Sequence, residues 1–435
     1  DAIDALFGSY HATKDWRATL RALGASPIRA LGLHGCLMSV CILVKVGEST
    51  YANDIEGKRR CCEFAAALVA ATFECSIVHP QRLIDFADYV PVELWENVDV
   101  LDDPYLCCAS KLIHALRVTA EVLLKSGDEI SAEHIAQGEP ASDALAALPV
   151  LSMLEHLFRF RAREAGGTAS ARAMRVRALC LLGRIASASA VLVALVHGDD
   201  VPWRGPMPGS RGIAALPATT GLGRPSPYRD DCGADHPHNA AITKFVAEAE
   251  IPVAVREAYG ARVTANIQFA RARWLLVAGT TARTWAVTDP ASEDGLQADA
   301  PALVVSPEQN QLFDAAKQLV NALKSEADET LSRHAAAEGA TERPTTGQSD
   351  LEQEGSYAWE VKAWGALVLS HVHRAQLDAP AALQCAREAR LALSATPQSA
   401  GQSLGTAFEL ACDRLLCESL EQLGRRVEAR EACER

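Results

Sequence analysis

One ten-residue pattern recurs three times along the chain. Each copy has a Leu, a Gly four residues later and an Ala five residues after that, and the copies begin at Leu123, Leu179 and Leu420. In a helix-turn-helix hairpin the Gly ends the first helix in a left-handed backbone conformation, which a residue without a Cβ adopts at little cost. The Ala lies in the second helix where it crosses closest to the first. The pattern therefore predicts stacked hairpins with these turn and contact residues: Gly127 and Ala132, Gly183 and Ala188, Gly424 and Ala429.

The three copies are typical of the tetratricopeptide repeat, but their spacing is irregular. Gly127 and Gly183 lie farther apart than the roughly 34 residues of a regular repeat. A further segment, 369–389, resembles the same unit, although Leu377 stands where Gly is usual and Trp364 lies two residues from the expected position of the repeat's Trp. The sequence therefore predicts an all-α fold, an irregular α-solenoid of tetratricopeptide-like helix-turn-helix pairs with long loop insertions.

Composition and capping signals agree with this prediction. Hydrophobic residues make up 49% of the chain and aromatics only 6%, and the apolar residues are mainly Ala, Leu and Val, of which Ala and Leu lose least on entering a helix. The tetrapeptide from Ser306 to Gln309 is a capping box with Pro at the first helical position. Three apolar stripes at helical spacing are predicted to face a core: Leu112, Leu116, Thr119 and Leu123; Ile267, Ala270, Trp274 and Val277; and Leu312, Phe313, Ala316, Leu319, Val320 and Leu323.

The distribution of Pro, Gly and polar residues divides the chain into segments. Residues 201–240 contain seven prolines and six glycines, too many for a packed helix. We expect helical segments at 1–200, 241–324 and 357–435, the last of them truncated at its end. A Pro- and Gly-rich insertion is expected at 201–240 and an acidic and polar linker at 325–356, since a solenoid tolerates such insertions between its helix pairs.

Charge and hydropathy restrict the partners that the chain is expected to have. The formal net charge is −13 and no basic stripe runs along the sequence, so nucleic acid is not an expected partner. The longest apolar run, 30–44, is too short and too polar for a membrane span, so no membrane partner is expected either. Two local arginine clusters are interpreted as the solvated faces of helices: Arg159, Arg161 and Arg163, and Arg172, Arg175 and Arg177.

The thirteen cysteines are predicted to be free thiols. Cys61 and Cys62 are adjacent, as are Cys107 and Cys108, and several others lie inside helical apolar patterns, where Cys behaves as a small hydrophobic residue. An odd number of cysteines used in this way is typical of a reducing compartment. A cytoplasmic location is therefore expected.

No motif indicates catalysis or a cofactor, and we expect neither. The densest group of candidate metal ligands is Asp230, Asp231, Cys232, Asp235, His236 and His238. A metal site and a polar loop are both compatible with Cys232, His236 and His238, and the loop is favoured because the second ligand pair of a structural zinc site is absent. His371 and His373 are expected to pack within a helix, so the sequence predicts no catalytic, cofactor-binding or metal-binding residue.

Two segments resemble a known group of large proteins. The helix pair at 171–200 ends at residues 195–202, and residues 251–260 lead into a long helix that includes Phe269, Ala270, Arg271 and Ala272. Both resemble the large helical-repeat cilia- and flagella-associated proteins of the axonemal central apparatus. The resemblance implies a structural role beside microtubules, a location in the axoneme of a cilium or flagellum, and neighbouring solenoid or microtubule-associated subunits as partners.

Two functions of different classes fit these features. The first is a non-catalytic structural scaffold that mediates protein–protein interactions in a large assembly, such as the central apparatus of motile cilia or flagella. The second is a sensor or regulatory helical-repeat array of a larger signalling protein or enzyme whose active domain lies outside this segment. In either case the Pro- and Gly-rich insertion is expected to contact a partner through its large apolar residues, Trp203, Met207 and Tyr228.

Overall fold

The fold is known from a computed structural model of the chain. It describes residues 40–41, 43–45, 47–49, 51, 54–72, 109–127, 142–158, 164–198, 240–287, 305–338, 348–395 and 398–434. Apart from short turns and caps these residues are helical, and none of them lies in a β-strand. The predicted all-α fold is confirmed.

The principal helices follow one another with short turns or with segments outside the ranges given above. In chain order they are α1 (Ile55–Thr72), α2 (Ala109–Gly127), α3 (Ser142–His156), α4 (Ala165–Leu181), α5 (Ile185–His197), α6 (Ala240–Glu248), α7 (Val253–Tyr259), α8 (Ala261–Val287), α9 (Pro307–Glu338), α10 (Gln348–Ala375), α11 (Ala379–Ala395), α12 (Gln398–Gln422) and α13 (Arg426–Glu434). None of these helices is long and apolar enough to span a membrane.

The chain folds into two compact units. The first contains α1 to α5 and α7, and the second contains α6 and α8 to α13. In the first unit α2 packs on α3, α3 on α4 and α4 on α5, while α1 packs on both α2 and α3. The predicted stripe of α2 faces this core, since Leu116, Thr119 and Leu123 are fully buried. The Thr119 hydroxyl is satisfied within its own helix by donating to the Ala115 carbonyl at 2.8 Å.

The second unit is a stack of helix pairs. From α8 to α13 each helix packs on the next, and α8 also packs on α10 and α10 on α12. Contacts between alternate helices mean that the first helices of successive pairs lie side by side. The pairs α8–α9, α10–α11 and α12–α13 therefore form the repeated arrangement of a helical-repeat fold.

The predicted stripes of α8 and α9 lie in the interior of this second unit. Ile267 and Trp274 of α8 are buried, as are Phe313 and Val320 of α9. The capping box at the start of α9 forms in both directions. The Ser306 N–H donates to Gln309 Oε1 at 2.8 Å, and the Gln309 N–H donates to Ser306 Oγ at 3.2 Å.

A glycine allows α8 and α9 to approach closely. A Cβ added at Gly279 would lie 2.6 Å from Cε1 of Phe313, whose ring is fully buried. Gln309 also donates from Nε2 to the Gly279 carbonyl at 3.2 Å. The same capping residue thus starts α9 and attaches it to α8.

The segment expected as an acidic and polar linker, 325–356, is largely helical. Helix α9 continues to Glu338 and α10 begins at Gln348. The physical reason is a small core that the linker expectation overlooked: Ala327 of α9 is buried with Ala358 and Val361 of α10. Apolar contacts that recur once per helical turn keep both helices ordered beyond the predicted boundary.

Candidate functional site

Three helix pairs share one turn geometry. The residue at the turn has a left-handed backbone in each: Gly183 with φ 69°, Leu377 with φ 64° and Gly424 with φ 73°. In each turn that residue's N–H donates three residues back, and the following N–H donates five residues back. This is the Schellman motif, which satisfies carbonyl groups at the end of a helix.

A buried alanine follows each of these turns at the same distance. Ala188, Ala382 and Ala429 lie five residues after the left-handed residue, and their exposed fractions are 0%, 0% and 2%. The α4–α5, α10–α11 and α12–α13 hairpins therefore have the same contact between their helices. Leu377 occupies the position of a glycine although it carries a Cβ.

Most of the other residues singled out from the sequence lie outside the described residues. Gly127 is the last residue of α2, and Ala132 lies outside the described residues. Trp203, Met207 and Tyr228 of the Pro- and Gly-rich insertion also lie outside them. The same holds for the candidate metal ligands Asp230, Asp231, Cys232, Asp235, His236 and His238. Within the described part of the chain, no three His, Cys, Asp or Glu residues are grouped as metal ligands.

Arg172, Arg175 and Arg177 of α4 were expected on a solvated helix face, and this expectation is wrong. The other predicted cluster, Arg159, Arg161 and Arg163, lies outside the described residues. Arg175 is only 6% exposed. Glu155 of α3 accepts from Arg172 Nε at 2.7 Å and from Arg175 Nη1 at 3.3 Å, while Arg177 donates to the Leu124 carbonyl at 3.2 Å. The Glu155 carboxylate on the neighbouring helix supplies the counter-charge that lets Arg175 be buried and Arg172 be partly buried.

Arg271 of α8 is a buried cation with a structural role. Its side chain is 1% exposed, and its Nε donates to the Val246 carbonyl at 2.6 Å, near the carboxyl end of α6. A cation at that position satisfies a helix-terminal carbonyl and interacts favourably with the helix dipole. Burial lowers the pKa of Arg271 to about 10, so the group remains charged at neutral pH.

Four cysteines of the described helices are free thiols that burial makes unreactive. They are Cys61, Cys62, Cys385 and Cys412. Burial raises the pKa of the thiols of Cys62 and Cys412 to about 12 in each case, and it raises the pKa of Cys61 and Cys385 as well. A thiol is nucleophilic only as the thiolate, and Cys61, Cys62 and Cys412 are buried and act as small core residues, whereas Cys385 is half-buried.

A group of basic residues lies on the first helices of the second unit. We call it the cationic cluster, and its members are Arg273 of α8, His371 and Arg374 of α10, and Arg414 of α12. Burial and then the charges of Arg273, Arg374 and Arg414 lower the pKa of His371 to about 3. His371 is therefore neutral at physiological pH, and the positive charges of the cluster are its three guanidinium groups.

A carboxylate bridges two members of the cationic cluster. Glu418 of α12 accepts from Arg414 Nε at 2.9 Å and also from Arg374 Nη1. The exposed fractions of the three side chains increase from 13% at Arg374 to 23% at Glu418 and 40% at Arg414. Arg414 is therefore the most exposed of the three charged side chains, and Arg374 is the most buried.

Sequence reasoning missed this cluster. It assigned His371 to packing and did not single out Arg273, Arg374 or Arg414. The local signal was the helical spacing of His371 with Arg374 and of Arg414 with Glu418, which places each pair on one helix face. Only the packing of α8 on α10 and of α10 on α12 shows that these faces meet.

Stacked helical hairpins that share one turn geometry and one buried helix contact define a helical-repeat protein. No protein-family model matches the chain. Over 311 residues, or 69% of its length, the chain is 31% identical to cilia- and flagella-associated protein 54 of Chlamydomonas reinhardtii. The predicted resemblance to the cilia- and flagella-associated proteins is thereby confirmed. The chain spans about a tenth of the length of that relative, since the match covers 10% of it.

Proposed function

We propose that the chain is part of a non-catalytic structural scaffold that binds other proteins in a large assembly of the cilium or flagellum. The observation that carries this proposal is the match of 311 residues to a cilia- and flagella-associated protein. The hairpin stacks support it, because helical repeats act by presenting extended surfaces to partners. The finer assignment is part of the same proposal: tetratricopeptide-like units, a place in the central apparatus, and neighbouring solenoid or microtubule-associated subunits as partners.

The perturbed ionisable groups of the described residues fit a structural role. The thiols of Cys62 and Cys412 owe their raised pKa first to burial. The pKa of Glu56 is lowered to about 2, first by its hydrogen bond from Arg59, which lies one turn farther along α1. Each shift has a cause in packing or in a local ion pair, and none needs a substrate to account for it. These causes support the proposal that the chain is not an enzyme.

The proposal is tested in ciliated cells that express the full-length protein. An epitope tag at the native locus allows axonemes stripped of membrane with detergent to be compared with the cell-body extract. We expect the protein to remain with the axoneme and to be released together with a defined set of other proteins at high salt. Cells without the protein should lose that same set from their axonemes.

A matched pair of variants tests whether the folded hairpin, and not only the presence of the chain, is needed for assembly. Ala188→Leu should disrupt the α4–α5 contact, because the methyl group of Ala188 is fully buried. Ala190→Leu changes an exposed residue of the same helix and serves as the control. Recovery of the axonemal set by the control alone supports the scaffold. A protein found only in the cell-body extract, with an unchanged axoneme in its absence, would overturn the proposal.

A further inference from the structure

The cationic cluster lies where a stack of helix pairs can accept a ligand. Its members belong to α8, α10 and α12, the first helices of three successive pairs, and these helices pack side by side. A surface built from equivalent helices of successive repeats is extended along the stack. A peptide segment can contact several repeats on such a surface at once.

Three arginines act on one site in a chain that is acidic as a whole. The chain carries a formal net charge of −13, yet the positive charges of Arg273, Arg374 and Arg414 act together on His371. Planar guanidinium groups bind carboxylates with two parallel hydrogen bonds, which gives both strength and orientation. In the structure Glu418 accepts one hydrogen bond from each of two arginines, Arg374 and Arg414.

We propose that the cationic cluster binds an acidic peptide segment of a partner protein, whose carboxylates share or replace Glu418 on Arg374 and Arg414. This proposal rests on the proposed scaffold function and names the chemistry of one partner. The exposed Arg414 makes the first contact, and the deeper Arg374 orients the bound carboxylate. Binding of a nucleic acid at this cluster would be a different proposal, and the test below distinguishes the two.

The test uses a fluorescein-labelled oligoglutamate peptide and fluorescence anisotropy with the complete chain. Binding should weaken as salt is raised, because it depends on exposed charges. An oligoglutamine peptide of the same length should not compete. Each of Arg414→Gln and Arg273→Gln should weaken binding about threefold to fivefold, the usual range for one partly exposed charge.

Two further variants make the outcome specific to the cluster. Arg425→Gln is the matched control: the Arg425 side chain is 41% exposed, close to the 40% of Arg414, but it lies in the turn before α13. Its binding should equal that of the unchanged chain. Glu418→Gln removes the competing carboxylate and should tighten binding, again about threefold to fivefold. A variant that merely unfolded could not produce this gain.

The results also separate this proposal from the scaffold function. Absence of peptide binding, or binding that Arg414→Gln and Glu418→Gln leave unchanged, would overturn the cluster proposal. Equal affinity for a single-stranded oligonucleotide would overturn it too, because the site would then be a general polyanion site. If the peptide fails to bind while the protein remains in the axoneme, the scaffold stands. If the peptide binds but the protein is found only in the cell body, the scaffold proposal is overturned and the cluster proposal stands.

Discussion

The α4–α5 and α10–α11 hairpins have the same turn with different residues at its strained position. Gly183 and Leu377 have φ values of 69° and 64°, and each is followed five residues later by a fully buried alanine, Ala188 or Ala382. A left-handed conformation is nearly free for Gly but costs about 1–2 kcal/mol for a residue with a Cβ. The α10–α11 hairpin keeps its turn in spite of that cost.

The surroundings of the two turns differ in a way that accounts for this. In the α10–α11 hairpin, Asp378 Oδ1 accepts from the Ala381 N–H at 3.2 Å and caps α11. Ser370 Oγ also donates across to the Ala382 carbonyl at 2.8 Å. In the α4–α5 hairpin, Arg184 at the start of α5 makes no capping hydrogen bond with its side chain. The packing of each hairpin therefore requires a left-handed residue at its turn. Leu377 is tolerated there because the cap and the hydrogen bond between the helices offset its backbone strain.

The largest expected effect tests whether the two hairpins share the same helix contact. Ala188→Leu and Ala382→Leu should each lower the free energy of opening of their own hairpin by about 1–3 kcal/mol, because added methylene groups overfill a packed site. Hydrogen exchange followed by mass spectrometry measures each hairpin separately. The exposed positions Ala190 and Gln384, each changed to Leu, are the controls. Unchanged protection in one hairpin would show that its alanine does not lie at the contact.

The pH dependence of the two hairpins should differ. His371 has a pKa of about 3 in the fold, below its ordinary value of 6.5, whereas the histidine of the α4–α5 hairpin, His197, is exposed. Between these two pKa values the unfolded chain binds a proton that the folded chain does not. Stability at α10 should therefore fall as the pH drops below 6.5, by about 2 kcal/mol between pH 7 and pH 5.

The measurement for this pH effect is hydrogen exchange of α10 at several pH values, corrected for the intrinsic exchange rate. The variant His371→Gln removes one of the two histidines of α10 whose pKa burial lowers, and His373, the other, is left unchanged. If its stability falls as steeply between pH 7 and pH 5 as that of the unchanged chain, another group is responsible and the prediction fails.

A smaller effect is expected when Gly183, at the unstrained turn of the α4–α5 hairpin, is replaced by a residue with a Cβ. Gly183→Ala should destabilise the α4–α5 hairpin by about 1 kcal/mol, since Ala at positive φ is strained and this turn has no side-chain cap to offset it. The midpoint of denaturant unfolding and the exchange of α5 report the change. Gly183→Asn should restore part of the loss, because Asn tolerates the left-handed region better than Ala. Equal effects of the two substitutions would argue against backbone strain as the cause.

The smallest effect has the opposite sign. Leu377→Gly should stabilise the α10–α11 hairpin by about 0.5–1 kcal/mol, because relief of strain exceeds the entropy that Gly loses on folding. Leu377 is 44% exposed, so little buried surface is lost with its side chain. Leu377→Ala keeps the Cβ and should give no gain. Destabilisation by Leu377→Gly would mean that the leucine side chain contributes more than its strain costs.

Local signals in the sequence gave the helices and much of their orientation. The capping box at Ser306 and the stripe through Phe313 lie in α9 as expected, because capping and a period of 3.6 residues depend only on neighbours along one helix. The linker boundary was placed too early because the core that contains Ala327 and Val361 is shared between two different helices. The buried arginines of α4 were misread for the same reason, since Glu155 lies on another helix.

The sequence by itself determined that this is an all-α chain of hairpins and that it resembles the cilia- and flagella-associated proteins. The spacing of Gly183 and Ala188 is a local property, so it can be read directly from the chain. The tertiary structure alone decided that Leu377 adopts a glycine's conformation and that the charges of Arg273 and Arg414, on two other helices, act on His371. Those outcomes depend on how α8, α10 and α12 stack, and the energy of stacking is shared among residues that are far apart in sequence.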